Sequence, residues 1–103
     1  MLRHIVLMTF QNELGEEEIA EAVERFFDLR ETIEEVKAME HGMNISVEGL
    51  DQGFTHCFLL DFDDEAARDR YLAHPAHQDF VGYVMPLLAN GLVVDFMPKS
   101  SAA

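Results

Sequence analysis

From His4 to Phe10 the chain reads His-Ile-Val-Leu-Met-Thr-Phe, and both parities of this run are largely apolar. The even positions are His4, Val6, Met8 and Phe10; the odd ones are Ile5, Leu7 and Thr9. A strand with one wet face alternates apolar and polar residues, whereas one that does not alternate has to be covered on both sides. Any fold for this chain must therefore supply two covers for its first strand.

The first cover is legible further along. Ile19, Val23, Phe26, Leu29, Ile33 and Val36 recur at three- and four-residue steps, the period of a helix with one apolar face. Asn12 or Gly15 can open it, Glu16 to Glu18 suit its positive end, and Gly42 follows soon after it ends. Met43, Ile45 and Val47 alternate with Asn44, Ser46 and Glu48 as a second strand. Asn44 and Ser46 on that strand serve strand-edge or turn hydrogen bonds, and Gly49 to Gly53 reads as a turn or loop. Phe54 to Phe62 is a third strand, with Phe54, His56, Phe58, Leu60 and Phe62 on one face and Cys57 and Leu59 on the other. Asp63-Asp64-Glu65 opens a second helix that runs to about His74, where Pro75 disfavours helical geometry in the residue before it. A further helical piece from Ala76 to about Leu88 carries Phe80, Val81, Val84 and Leu87, bent or shortened by Pro86. Asn90-Gly91 then turns into a last strand, Leu92 to Met97.

Strand, helix, strand, strand, helix, strand is the βαββαβ order of an α+β, ferredoxin-like fold, an antiparallel sheet with helices on one face only. Ile5, Leu7, Cys57, Leu59, Val93 and Met97 then offer an apolar second face. A second copy of the chain is the simplest cover for it, so a homodimer with two sheets forming a shared barrel is expected. Residues 1–97 constitute the domain and 98–103 a tail.

Length and charge narrow the function. A chain of 103 residues holds one domain. Its net charge of −13, with only seven Lys and Arg, excludes the clustered cations that nucleic acid needs and disfavours anionic membrane. Half of the 20 acids lie between Glu13 and Glu35, so the charge is largely one solvated helix face. Cys57 is the only cysteine, no secretory segment is evident and no apolar run approaches the ~18 residues of a membrane span. A reducing, cytoplasmic setting is the expectation.

The chemistry gathers at Tyr71-Leu-Ala-His74-Pro75-Ala-His77, a phenol and two imidazoles within seven residues. His4 and His56 share their strand parity with large Phe and Met residues, so both rings are expected to face the helices, near Tyr71. Histidine titrates nearest neutrality, and tyrosine can donate to a developing oxyanion. The plainer alternative is a set of core residues: a histidine after Pro75 that caps a helix, a tyrosine with its hydroxyl satisfied locally, and His4 and His56 bonded to each other or to backbone across the sheet. His74 and His77 stand at a metal-ligand spacing, but no carboxylate or cysteine completes a set, so no metal is expected. Cys57 lies on the opposite strand face from His56 and reads as a small core residue. Asp95 is either an interface partner or solvent-facing.

His4-Ile-Val-Leu, Gly42-Met-Asn44-Ile-Ser46, Gly53-Phe-Thr-His56, Tyr71-Leu-Ala-His74-Pro75-Ala-His77-Gln-Asp-Phe80 and Val94-Asp95 together resemble the stress-responsive dimeric α/β-barrel family. The resemblance runs from about His4 to Asp95. It implies a homodimer of ferredoxin-like subunits, each with a cavity between sheet and helices. Most of that family has no assigned activity, but a plant branch includes polyketide cyclases that close a linear polyketone without a cofactor. In that branch the tyrosine and the second histidine of the motif are catalytic, which here implies Tyr71 and His77. Histidines matching His4 and His56 belong to the same pattern, and with His74 they are the candidate substrate-binding residues. The strand from Gly42 to Ser46 looks more like the general family than the cyclase branch. Two functions therefore stand side by side: a cofactor-independent lyase or cyclase acting on a carbonyl compound, and a non-catalytic dimer that binds a small apolar molecule or serves in stress.

Overall fold

The computed structural model describes residues 1–99, so most of the expected tail, 100–103, lies outside the described residues. The elements are β1 (Leu2–Phe10), α1 (Glu16–Thr32), β2 (Ala38–Met43), β3 (His56–Phe62), α2 (Glu65–Ala73), α3 (Pro75–Val84) and, after a short 3₁₀ turn at Met85–Leu87, β4 (Leu88–Phe96). The sheet order is β2-β3-β1-β4, and every neighbouring pair is antiparallel. This is the ferredoxin-like arrangement anticipated from the element order, with β1 and β3 in the middle.

Strand parity decides which side chains meet the helices. On β1 the even residues Leu2, His4, Val6, Met8 and Phe10 are buried while the odd ones are half-buried, and β3 repeats this with His56, Phe58, Leu60 and Phe62 inward. Phe26 of α1 stacks on Phe80 of α3 with centroids 4.8 Å apart and tilts against Phe58 at 4.5 Å. Each such burial contributes on the order of 1.5–3 kcal/mol. The α1 start is fixed locally, where the Gly15 amide donates to the Glu18 side chain.

Four features differ from the sequence reading. The helix ends at Thr32, and Ile33 and Val36 complete the core from the connection that follows it. β2 lies at Ala38–Met43, before the expected Met43-Ile45-Val47 segment, because β3 pairs it only from Ala38↔Asp61 to Met43↔His56. Beyond Met43 the chain is clipped into a loop by Asn44, whose Nδ2 donates to Asp51 and to the Phe54 carbonyl. Ile45 and Val47 there are 89% and 98% exposed.

The other two differences lie at the far edge. Asn90-Gly91 sits inside β4, paired with Thr9 and Met8, and not in a turn before it. An irregularity between Thr9 and Phe10 absorbs the extra residue. The register pairs Val93 with Val6, which puts Val93 on the helix-facing side; the outer apolar residues of β4 are Leu92 and Val94, opposite Leu7 and Ile5. The outer face keeps its apolar character with Ile5, Leu7, Cys57 and Leu59, joined by Leu92, Val94 and Phe96.

Candidate functional site

Pro75 builds the site. It cannot let His74 continue α2, and His74 is held at φ −65°, ψ 135°. Pro75 then takes the first position of α3, where its missing N–H costs nothing. The break redirects the chain, so His77 in the first turn of α3 returns to the Tyr71 ring at the end of α2. Their centroids are 4.5 Å apart with the planes tilted by 51°. Without the break, residues six apart would not share a helix face.

Each group has a defined protonation. The Leu72 carbonyl lies 3.2 Å from His77 Nδ1. A carbonyl only accepts, so Nδ1 carries the hydrogen and Nε2 is left as the acceptor. Burial lowers the His77 pKa, the Leu72 hydrogen bond partly offsets this and the nearby His4 adds to the lowering. The ring is thus neutral at pH 7 and able to take a proton. Burial pushes the Tyr71 phenol well above its ordinary value, which keeps it a donor. Its ring is almost wholly buried, and among the described residues its hydroxyl makes no hydrogen bond.

His4 completes this group from β1. Its ring meets Tyr71 edge-on at 5.9 Å and Phe62 at 5.6 Å. His4, Tyr71 and His77 line one cavity of about 570 Å³, whose other walls include Val6, Phe26, Phe80 and Val84. The arrangement brings a neutral imidazole, a protonated phenol and a second imidazole to a mainly apolar hollow that Asn90 also lines. Such a hollow suits a small, mainly apolar ligand with one or two polar atoms.

Two of the expected members stand elsewhere. His56 faces the helices as expected but does not approach Tyr71. β1 and β3 run antiparallel, so His56 lies opposite Met8 while His4 lies opposite Leu60. Four residues along a strand separate the two histidines by about 13 Å. His56 instead stacks on His41, with Nδ1 to Nε2 at 3.1 Å, and meets Phe10 edge-on at 5.0 Å. The pair borders a second, shallower hollow with Ile19, Val23 and Met43. His74 is the helix cap: its Nδ1 accepts from the Ala76 amide at 3.0 Å, so it belongs to the backbone and not to the cavity. The cap is His74, before Pro75, and not the histidine after it that the sequence offered for that role.

Sequence reasoning missed His41 because the second strand was placed too late. In the observed register it pairs with Phe58 and therefore faces inward. Asp95, left open in the sequence, pairs with His4. Cys57 is half-buried on the outer sheet face, away from His56. Among the described residues no group of three or more His, Cys, Asp or Glu side chains is disposed to hold a metal ion. No helix among them is long and apolar enough to cross a membrane.

Comparison with known proteins agrees with the fold. Residues 2–98 match the family described as Stress responsive A/B Barrel Domain. The chain is 35% identical over 99 residues to the stress-response A/B barrel domain-containing protein HS1 of Arabidopsis thaliana, covering 96% of this chain and 91% of that one. It is 22% identical over 98 residues to olivetolic acid cyclase of Cannabis sativa, covering 95% and 97%. Among solved structures, the Arabidopsis thaliana protein At3g17210 superposes with a TM-score of 0.95 at 34% identity, covering 100% of both chains. A dimeric ferredoxin-like protein of unknown function from Jannaschia superposes with a TM-score of 0.81 at 30% identity, over 94% of this chain and 98% of that one.

Proposed function

The chain belongs to the stress-responsive A/B barrel domain family, and from that premise we propose that it is a homodimer whose cavity binds an apolar carbonyl compound and moves its protons without a cofactor. The observation that carries this reading is the Tyr71 hydroxyl and His77 imidazole in one apolar cavity, ring against ring at 4.5 Å. The relative named as a cyclase supports the same chemistry. The dimeric neighbour and the apolar outer face of the sheet support the assembly.

The step is a proton abstraction followed by bond formation. His77 Nε2 takes a proton from the carbon beside a carbonyl, and the C–H electron pair becomes the enolate double bond. The enolate oxygen takes up negative charge and accepts a hydrogen bond from Tyr71. The enolate carbon then attacks a second carbonyl of the same molecule, forming one C–C bond. The oxygen of that second carbonyl recovers the proton from the imidazolium. Nothing is oxidised or reduced, and no co-reactant is consumed. His4 orients the bound molecule, while His56 and His74 have no part in this cavity.

A non-catalytic binding protein is the second reading, and one observation favours it: the cavity lining holds no Lys or Arg to fix a substrate carboxylate. Titrating linear polyketones of graded length, with product analysis, separates the two. Turnover by the unmodified protein that falls in both Tyr71→Phe and His77→Ala supports the enzyme. Equal turnover by all three excludes these roles, and binding without turnover by any of them establishes the second reading.

A further inference from the structure

Gly91 interrupts the inward face of β4. It stands opposite Met8 of β1, so a side chain there would point toward the helices, and it lines the Tyr71 cavity. Its backbone does not ask for glycine: among the described residues the positive-φ glycines are Gly49 and Gly53. Crowding does not ask for it either. A Cβ at Gly91 would meet Leu88 Cδ1 at 3.5 Å and the Leu7 carbonyl oxygen at 3.8 Å, both ordinary contacts. Glycine inside a strand weakens it and often marks the close approach of another group. What the missing side chain leaves here is space in the cavity. The next inward residue of β4, Val93, borders that space and is 58% exposed although it faces the helix layer. On the helix side of the same cavity Val81 and Met85 are exposed as well.

We propose that Gly91 is a specificity-determining residue, and that the space beside it seats the apolar tail of a ligand whose carbonyl lies at Tyr71. Its role rests on the reading of the cavity as a site for apolar carbonyl compounds, and it sets their shape. His4, Tyr71 and His77 gather at one end of the cavity. His4 and Met8 are four residues apart on β1, about 13 Å, and Gly91 stands opposite Met8 at the other end. The floor between them is Val6 and Met8, both apolar and both inward. Asn90 is the polar neighbour at the far end. It pairs with Thr9 on the outer parity, and its Oδ1 accepts from the Gly91 amide at 2.9 Å. The substrate class is therefore a compound with its polar atoms at one end and an extended apolar tail at the other.

Straight-chain alkan-2-ones from butan-2-one to undecan-2-one test this directly, with dissociation constants read from nitrogen–proton shift titrations of the ¹⁵N-labelled protein. Affinity should rise about fourfold per methylene until the tail passes Gly91. In Gly91→Val the rise should stop at a shorter chain, so that undecan-2-one loses about tenfold while butan-2-one is unchanged, and Gly91→Ala should fall between. Valine suits a strand better than glycine, so the urea midpoint should hold or rise and the variant stay folded. The same chain-length profile in Gly91→Val as in the unmodified protein would overturn the proposal, as would an equal loss for butan-2-one and undecan-2-one. A second copy of the chain filling this space would also overturn it: Gly91→Val would then weaken the dimer in sedimentation and leave the profile alone. Alkan-1-ols run alongside keep the two readings apart. A profile that Gly91→Val shortens for alcohols and ketones alike, with no preference for ketones, would overturn the carbonyl reading and support the seat at Gly91. Absence of binding by both series would overturn both.

Discussion

Tyr71 and His77 belong to two different helices, yet their rings stand 4.5 Å apart because Pro75 redirects the backbone between them. The relationship depends on that break more than on either side chain. Pro75→Ala relaxes the restriction on His74 and allows the two helices to merge. Ligand binding should weaken and turnover fall by at least an order of magnitude, while far-ultraviolet circular dichroism keeps its helical signal. Unchanged binding and turnover would show that the break does not place His77.

Acid sensitivity follows from three histidines. His41, His56 and His77 all have pKa values lowered by burial, and His41 adds to the lowering at His56. The unfolded chain therefore binds protons first as pH falls below the ordinary value of about 6.5, and folding stability declines there. Asp51 works in a separate window. The Gly53 amide and the Asn44 side chain lower its pKa, so its contribution is present above about pH 4 and is lost as pH falls through the lowered value. Chemical denaturation between pH 8 and 5 should show a falling midpoint, and His56→Gln should flatten that slope. A midpoint that rises on acidification would contradict the assigned direction.

The core offers a sharper energetic test. Phe26 is buried between Phe58 and Phe80 and also lines the cavity. Phe26→Ala should cost about 3–5 kcal/mol in urea unfolding. Because the hole opens onto the existing cavity, longer apolar ketones should bind better relative to short ones. A loss below about 1 kcal/mol would mean that the site collapses around the truncation.

The outer sheet face makes the assembly testable. Leu7 lies half-buried on that face, opposite Leu92 and Cys57. A glutamate there would bring a charge into a dry interface and weaken association by several kcal/mol. Sedimentation should give a dimer for the unmodified protein and a folded monomer for Leu7→Glu. A stable monomer in both cases would remove the homodimer.

What the sequence made legible was periodicity. The doubly apolar β1, the inward faces of β1 and β3, and the role of Pro75 are all properties of spacing and backbone chemistry. What it concealed was pairing register. Ile45 and Val47 alternate as a strand does, but β3 starts at His56 and gives them no partner, so the real β2 lies earlier and brings in His41. Likewise Asn90-Gly91 has turn composition, yet cross-strand pairing with β1 keeps it extended. Parity correctly turned His4 and His56 toward the helices. Their separation depended on the antiparallel register of β1 and β3, which no single strand records. His77 and Tyr71 were legible as a local motif, whereas Asp95 needed the β1–β4 register to meet His4.

The most direct test of the site is solvent exchange at the carbon beside a carbonyl, because it isolates the first proton transfer from any later bond formation. 4-Phenylbutan-2-one in D₂O at pD 7.5 should gain deuterium faster with the protein than without it, as followed by proton magnetic resonance. His77→Ala should lose about 10²- to 10⁴-fold of that acceleration. Tyr71→Phe, which removes the oxyanion donor, should lose about 10²- to 10³-fold. Equal acceleration by the unmodified protein, His77→Ala and Tyr71→Phe would contradict the assignment of the Tyr71–His77 pair as the proton-moving centre of this fold.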